Sequence, residues 1–286
     1  MAEVAPANAE STEAWSGPLF DRFVHFRDTM TAGLGAHGEV ALAAHPPVPG
    51  DRVLDIGCGF GDTTQRLGEL VGDGTVVGID VAEPFLEVAR EEAAAAGIEN
   101  VSYRVGDVQI ADLDGPYDYV FSRMGVMFFA SPVQALRNVR EAMRPGGRFC
   151  AVVWRRKLDN AWAWEAEQVV EKYLDHPEES DEPTCGPGPF SMADADTVTE
   201  QMRIAGFGSI ELLRSDLPLR MGATLDDAVA LTMAIGPAGE VLRLWGDRAD
   251  EIRPTIAGEI RAALSQFETP DGVSAPSSTW VISAVA

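Results

Sequence analysis

Basic residues are scarce in this chain. It has 22 lysines and arginines against 45 aspartates and glutamates, which gives a formal net charge of −23 at pH 7 over 286 residues. A surface this acidic repels phosphate backbones, so we expect no nucleic-acid partner. The simplest role of the excess negative charge is to keep the chain in solution.

Cysteine and histidine are also sparse. The three cysteines, Cys58, Cys150 and Cys185, do not suggest a disulfide framework, and the four histidines show no metal-ligand spacing. No run of about 18 apolar residues occurs, so we expect no membrane-spanning segment. The first 13 residues lack the basic and apolar blocks of a signal peptide, and we expect a reducing, cytoplasmic environment.

Strand-like and helix-like segments alternate from residue 52 to residue 154. Apolar runs at 52–56, 75–79, 101–105, 117–122 and 148–154 are separated by helical stretches at 62–71, 84–96 and 132–143. This alternation predicts a parallel sheet with helices on both faces. Further strands are predicted at 209–214 and 279–285, which makes seven in all.

A glycine-rich turn follows the first predicted strand. Residues 53–61 read Val-Leu-Asp-Ile-Gly-Cys-Gly-Phe-Gly, so that Asp55 precedes three alternate glycines. A strand that breaks into such a turn before a helix is typical of nucleotide-type sites, because glycine lets the backbone approach a ligand closely. A dinucleotide fold would need a glycine at Asp62, which makes an NAD-dependent oxidoreductase the weaker alternative.

The turn resembles motif I of the class I S-adenosylmethionine-dependent methyltransferases, and three more positions match that family in the same order. Asp80 ends the second strand, Asp107 follows the third, and residues 144–147 spell Arg-Pro-Gly-Gly. The resemblance is strong over residues 50–155 and looser over 190–215. It is to the small-molecule members with a UbiE-like domain.

This resemblance implies an α/β fold, with a Rossmann-like seven-stranded sheet, and a cofactor, S-adenosylmethionine, that leaves as S-adenosylhomocysteine. Asp80 would bind the ribose hydroxyls and Asp107 the adenine amino group, although either acid could instead cap a helix. Asp55 would brace the loop or meet the cofactor's ammonium group. The other residues expected at the cofactor are Gly57, Cys58, Gly59, Val81, Val108 and Ser122.

A small organic methyl acceptor is predicted, and no catalytic residue is assigned. The chain lacks the Asn/Asp-Pro-Pro-Tyr/Phe motif that positions planar nitrogens in related enzymes, and oxygen, nitrogen and carbon acceptors all stay open. Met124, Met127 and Phe128 either wall the pocket or pack in the core. Arg22 could bind the cofactor carboxylate and His25 could act as a base. The alternative is that Arg22 is an ordinary surface arginine and His25 a solvated or packed histidine, which are the commoner roles.

The sequence divides into four parts. Residues 1–13 are expected to be a disordered tail, and 14–47 a helical segment that closes the site. Residues 48–221 and 272–286 form the methyltransferase domain. The helical insertion at 222–271 is expected to cap the acceptor site, to make a contact in a homo-oligomer, or only to bury its own apolar face. A non-catalytic cofactor-binding protein on this scaffold is the other alternative.

Overall fold

One mixed sheet organises the protein, and the computed structural model describes residues 3–176 and 184–286. The strands are β1 (Arg52–Ile56), β2 (Thr75–Asp80), β3 (Val101–Val105), β4 (Tyr117–Arg123), β5 (Met143–Trp154), β6 (Gly208–Gly222), β7 (Glu268–Thr269) and β8 (Gly272–Val285). Seven of them lie in the order β3-β2-β1-β4-β5-β8-β6, and the short β7 pairs with β8. The predicted fold class is confirmed, with β7 as an additional strand.

The first five strands are parallel, and β8 is antiparallel to both of its neighbours, β5 and β6. The strands β6 and β8 are 15 and 14 residues long, far longer than the sequence predicts. Proline interrupts the strand pattern of both, with Pro218 opposite Pro276. Proline lacks the amide hydrogen of a ladder, so the pattern breaks while the pairing continues.

Helices cover both faces of the sheet. Three precede it: α1 (Ala9–Ser16), α2 (Pro18–His25) and α3 (Arg27–Ala44). Five lie in the connections between β1 and β6: α4 (Asp62–Val71), α5 (Glu83–Ala95), α6 (Pro132–Glu141), α7 (Ala161–Val170) and α8 (Ala195–Ala205). Three lie between β6 and β7: α9 (Leu225–Ala234), α10 (Pro237–Trp245) and α11 (Arg253–Leu264). No helix in the described part of the chain combines the length and hydropathy that a bilayer crossing needs.

The prediction of a disordered N-terminal tail is wrong over residues 3–13; residues 1 and 2 lie outside the described part. A short 3-10 helix at Pro6–Asn8 leads directly into α1. The Ala5 amide donates to Asp107, 102 positions away, and the Ser11 hydroxyl donates to the Cys185 carbonyl, 174 positions away. Composition could not reveal such distant contacts, and they supply the order that local propensity lacks.

His37 ties α3 to β8 inside the core. Its Nε2 lies 2.9 Å from the Ser277 hydroxyl and its Nδ1 lies 3.2 Å from the Thr279 hydroxyl. Burial lowers the pKa of His37 to about 4, so the ring is neutral at physiological pH. This histidine is therefore a structural group of the fold.

Candidate active site

Seven of the nine residues predicted at the cofactor line one cavity of about 700 Å³. The cavity lies where β1, β2 and β3 end, which is the edge at which open α/β sheets bind ligands. Neighbouring parallel strands bring these ends together, with Ile56 beside Ile79 and Asp80 beside Val105. The seven residues are Gly57, Cys58, Gly59, Asp80, Val81, Asp107 and Val108.

The glycine turn after β1 has little room for side chains at its two ends. All three glycines adopt positive φ, with values of 66°, 52° and 78° at Gly57, Gly59 and Gly61. A Cβ at Gly57 would lie 2.7 Å from the Gly125 Cα, and one at Gly61 would lie 2.5 Å from the Tyr103 hydroxyl. Packing therefore requires the outer glycines, while a Cβ at the middle glycine, Gly59, would make only an ordinary contact with the Phe85 ring at 3.9 Å.

Asp80 links the glycine turn to the end of β2. Its Oδ2 accepts the Gly59 amide at 2.9 Å, and its Oδ1 accepts the Ala82 amide at 3.0 Å. Burial raises the pKa of Asp80, while the amides of Ala82 and Gly59 oppose that shift. The residue that caps α5 is Ala82, so Asp80 is a loop anchor whose remaining oxygen lone pairs stay available at the cavity.

Asp107 is almost fully buried and gathers hydrogen-bond donors. Its Oδ1 accepts the Gln109 amide at 3.0 Å and the Gln109 side chain at 3.1 Å. Its Oδ2 accepts the Ala5 amide at 3.0 Å. The N-terminal segment is thus attached to the acid that the sequence predicts at the adenine.

Asp55 and Ser122 lie beneath the turn and do not line the cavity. The Thr64 hydroxyl donates to Asp55 at 2.6 Å, and burial raises the pKa of Asp55 to about 7. The Ser122 hydroxyl donates to the Ile56 carbonyl at 2.8 Å. Both side chains are more than nine-tenths buried, so the geometry favours the bracing alternative over direct ligand contact.

Cys58 lies on the cavity side of the turn. Its thiol is buried, and burial raises the pKa of Cys58 well above its ordinary value. A thiol that stays protonated is a poor nucleophile, and Cys58 acts as a small loop residue.

Several residues of the N-terminal helices approach the cavity, but not those singled out from the sequence. Trp15 packs edge-on against Phe23 and Phe128, with ring centroids 5.3 and 5.0 Å apart, and all three rings line the cavity. Arg22 instead donates to the Ala234 carbonyl at 2.9 Å, and His25 packs against Phe26 outside the cavity. The structure therefore supports neither proposed role of Arg22 and His25.

An ion pair between Arg123 and Asp62, which the sequence does not predict, borders the glycine turn. The Arg123 Nη2 lies 2.7 Å from the Asp62 Oδ2, and both residues line the cavity. Met124, next to this pair, has a φ of 61°, which is unusual for a residue with a side chain. An arginine at the end of β4 is the one sequence signal that could indicate the pair.

The far half of the cavity is mostly apolar and comes from segments distant in sequence. The ion pair of Lys157 Nζ with Glu167 Oε1, at 2.6 Å, is a polar feature of this wall. Its other main contributors are Trp154, Trp162, Phe190, Leu219, Leu231, Ile235 and Val241. Three of these, Leu231, Ile235 and Val241, belong to α9, to α10 or to the link between them, within the predicted insertion.

Comparisons with known proteins agree with this geometry. A family model described as a methyltransferase domain matches residues 47–184. The chain is 36% identical over 186 residues to the nocamycin O-methyltransferase of Saccharothrix syringae, covering 61% of this chain and 65% of that protein. It is 30% identical over 179 residues to the ubiquinone biosynthesis O-methyltransferase of Ruegeria pomeroyi, covering 60% of this chain and 71% of that protein.

The demethylmenaquinone methyltransferase of Symbiobacterium thermophilum is 30% identical over 153 residues, which cover 50% of this chain and 61% of that protein. The chain thus spans less than two thirds of two of these three relatives. The YcgJ protein of Bacillus subtilis shares the fold, with a TM-score of 0.55, 18% identity, and coverage of 89% of this chain and 97% of that chain. With the glycine turn and strand order described above, these matches show that the chain belongs to the class I S-adenosylmethionine-dependent methyltransferases.

Proposed function

We propose that this protein transfers the methyl group of S-adenosylmethionine to a small organic acceptor and releases S-adenosylhomocysteine. The observation that carries the proposal is the continuity of the cavity. The glycine turn, Asp80 and Asp107 border the same space as the apolar wall from α7, α9 and α10. A cofactor and an acceptor can therefore meet in one cavity.

The residues present fit the adenosine part of the cofactor. A carboxylate can accept from two vicinal hydroxyls at once, which suits Asp80 and a ribose. Asp107 already accepts from amide donors, and the adenine amino group is a donor of the same kind. Asp55 and Ser122 brace the turn from below in this proposal, and Gly57 and Gly59 bring backbone close to the ligand.

When bound, S-adenosylmethionine supplies a methyl group already activated by its sulfonium sulfur. The protein's own task is to hold acceptor, carbon and sulfur in line and to exclude water. The aromatic side chains of Trp15, Phe23 and Phe128 close one side of the cavity against solvent. A base is needed only if the acceptor must lose a proton, and we assign none.

We infer that the helical insertion acts as a cap on the acceptor side. Leu231 and Ile235 from this segment line the cavity, and Arg22 of α2 donates to the carbonyl groups of Ala234 and Gly239. The N-terminal helical segment and the helical insertion therefore contact each other beside the cavity. That the insertion makes a contact in a homo-oligomer stays a prediction, and analytical ultracentrifugation, which measures the oligomeric state, would test it.

Oxygen is the first acceptor atom to test. Two of the relatives carry the name O-methyltransferase, and one is named for demethylmenaquinone. The mostly apolar wall of the cavity suits ring-bearing acceptors better than highly charged ones.

Calorimetric titration tests the cofactor assignment. We expect S-adenosylhomocysteine and S-adenosylmethionine to bind with micromolar affinity and NAD not to bind. Incubation with labelled S-adenosylmethionine and a panel of phenols and hydroxyquinones should then transfer label. Absence of cofactor binding by folded protein would contradict the proposal, whereas binding without transfer to any acceptor would favour the non-catalytic alternative.

A further inference from the structure

Two buried polar atoms of α7 lack hydrogen-bond partners among the described residues. They are Glu167 Oε2 and Trp162 Nε1, and both side chains belong to residues that line the cavity. Each residue is 6% exposed. Buried polar atoms are normally paired, so these two indicate where a bound molecule supplies the missing partners.

Their environment makes the two atoms unusual within the cavity. Two other carboxylates that line it, those of Asp62 and Glu240, form ion pairs with Arg123 and Arg243. Glu167 also has a partner, Lys157, but that contact uses Oε1 and leaves Oε2 unpaired. The unpaired oxygen is an acceptor, while the indole nitrogen of Trp162 is a donor.

Packing holds both groups in place. The Trp162 ring lies 5.2 Å from the Trp154 ring, between centroids. It also packs on Gly236, where an added Cβ would come within 2.8 Å of the Trp162 Cζ3. Lys157 holds the Glu167 carboxylate at 2.6 Å. Neither group is free to swing toward a different partner, so the cavity presents a fixed acceptor and a fixed donor.

We propose that Glu167 and Trp162 recognise the polar groups of the acceptor in its subsite. Glu167 Oε2 accepts a hydrogen bond from a hydroxyl of the acceptor, and Trp162 Nε1 donates to a carbonyl or ether oxygen. This inference rests on the proposed function and adds the acceptor's chemical class to it. The class is an uncharged, ring-bearing molecule with a hydroxyl donor and an oxygen acceptor at separate points on an apolar body.

Charge and spacing narrow that class. Lys157 balances the charge of Glu167, so the subsite gains little from a cationic acceptor, and the apolar wall around it disfavours an anion. Trp162 and Glu167 are five positions apart on α7, which corresponds to about 7.5 Å along the helix axis and about 140° around it, so the two polar groups reach the cavity at separate points. A rigid polycyclic hydroxyketone or hydroxyquinone carries its oxygens at separate points on an apolar body, as this subsite requires. Glu167 and Trp162 are positioning residues in this proposal, not catalytic ones.

The test compares two flat probes that differ only in their hydroxyl groups. Equilibrium dialysis in saturating S-adenosylhomocysteine measures the affinity for 2,6-dihydroxyanthraquinone and for unsubstituted anthraquinone. We expect the wild-type protein to bind the dihydroxy probe at least about tenfold more tightly, the effect of one hydrogen bond to a charged group. In Glu167→Gln this preference should fall to about threefold or less, because the acceptor oxygen loses its charge.

Trp162→Phe removes the indole donor but keeps an aromatic ring. Because both probes carry carbonyl oxygens, we expect it to weaken both by about threefold to tenfold and to leave the hydroxyl preference intact. The same helix offers matched controls, Glu165→Gln and Trp164→Phe, since neither residue lines the cavity. Both controls should behave as wild type.

Calorimetry with S-adenosylhomocysteine alone separates this inference from the proposed function. Unchanged cofactor affinity in all four variants shows that the fold and the cofactor half are intact. A wild-type protein that does not prefer the dihydroxy probe, or that binds neither probe, would overturn the inference while leaving methyl transfer standing. An equal loss of both probes in Glu167→Gln would also overturn it, whereas loss of cofactor binding by wild type would refute the proposed function itself.

Discussion

The two halves of the cavity are built in opposite ways. The cofactor half consists of short loops at adjacent strand ends, and backbone amides and carboxylates make its contacts, as between Gly59 and Asp80. The acceptor half joins side chains from β5, α7, β6, α9 and α10, which lie far apart in sequence. The first half depends on local backbone geometry, and the second depends on how the whole chain packs.

This difference explains which half can be predicted. A strand end followed by a glycine turn has a short pattern that survives in the sequence. An apolar wall has no such pattern, because its residues look like any other core residue until the chain is folded. The comparison predicts that substitutions in the two halves affect different measurable quantities.

Removing the Asp80 carboxylate should have the largest effect on the cofactor half. Asp80→Ala loses the anchor of the Gly59 amide and the proposed ribose contact, so we expect about a hundredfold loss of S-adenosylhomocysteine affinity by calorimetry. Glu83→Ala is the matched control, because Glu83 pairs with Arg90 and does not line the cavity. If Asp80→Ala kept the wild-type affinity for S-adenosylhomocysteine, Asp80 would not contribute to cofactor binding.

A methyl group at Gly61 should destabilise the protein more than one at Gly97. Both glycines have positive φ, but a Cβ at Gly61 would meet Tyr103 whereas one at Gly97 would meet nothing within 4 Å. We expect Gly97→Ala to lower the free energy of unfolding by about 1 kcal/mol and Gly61→Ala by about 2–4 kcal/mol in urea. Equal losses would mean that strain, and not packing on Tyr103, fixes the turn.

The buried carboxyl of Asp55 should make stability depend on pH. Burial raises the pKa of Asp55 to about 7, so the folded protein binds this proton more tightly than the unfolded chain. Its contribution to stability therefore falls as pH rises from about 4 to about 7 and stays low above that range. Asp55→Asn keeps an acceptor for Thr64 without the charge.

We expect the free energy of unfolding of Asp55→Asn, relative to that of wild type, to be about 2–3 kcal/mol larger at pH 8 than at pH 5, because only wild type loses stability as pH rises. Urea unfolding at both pH values measures this difference. Asp73→Asn, at an exposed position, serves as the control. A difference that does not vary with pH would show that Asp55 is ionised in the folded protein throughout this range.

The smallest effect tests the link between the N-terminal segment and Asp107. Ala5 has a φ of −59°, which proline also adopts, so Ala5→Pro removes one amide donor without forcing the backbone. We expect about a threefold loss of S-adenosylhomocysteine affinity, because the segment helps to close the cofactor half. Ala5→Ser keeps the amide and should match wild type. Higher affinity in Ala5→Pro would mean that the segment competes with the cofactor.

Much of the fold follows from the sequence, because the alternation of elements and the ends of the parallel strands are local patterns. Asp80 and Asp107 could be placed at one edge for that reason. The sequence could not show whether Asp55 and Ser122 support the glycine turn or contact the ligand directly, because it does not say which face of a strand end meets the ligand. Glu167 reads as an ordinary acid on a helix, and only packing reveals its unpaired oxygen.

The bond from Arg22 to the Ala234 carbonyl joins groups 212 positions apart in sequence. Domains fold as they emerge from the ribosome, at about 5–20 residues per second, so this contact cannot form until Ala234 has been synthesised. The strand ends and glycine turn of the cofactor half emerge many seconds earlier. A nascent chain should therefore pass through a stage in which the cofactor half is assembled but α9 and α10 do not yet cover the cavity. During this stage the apolar side chains of the acceptor half are exposed to chaperones.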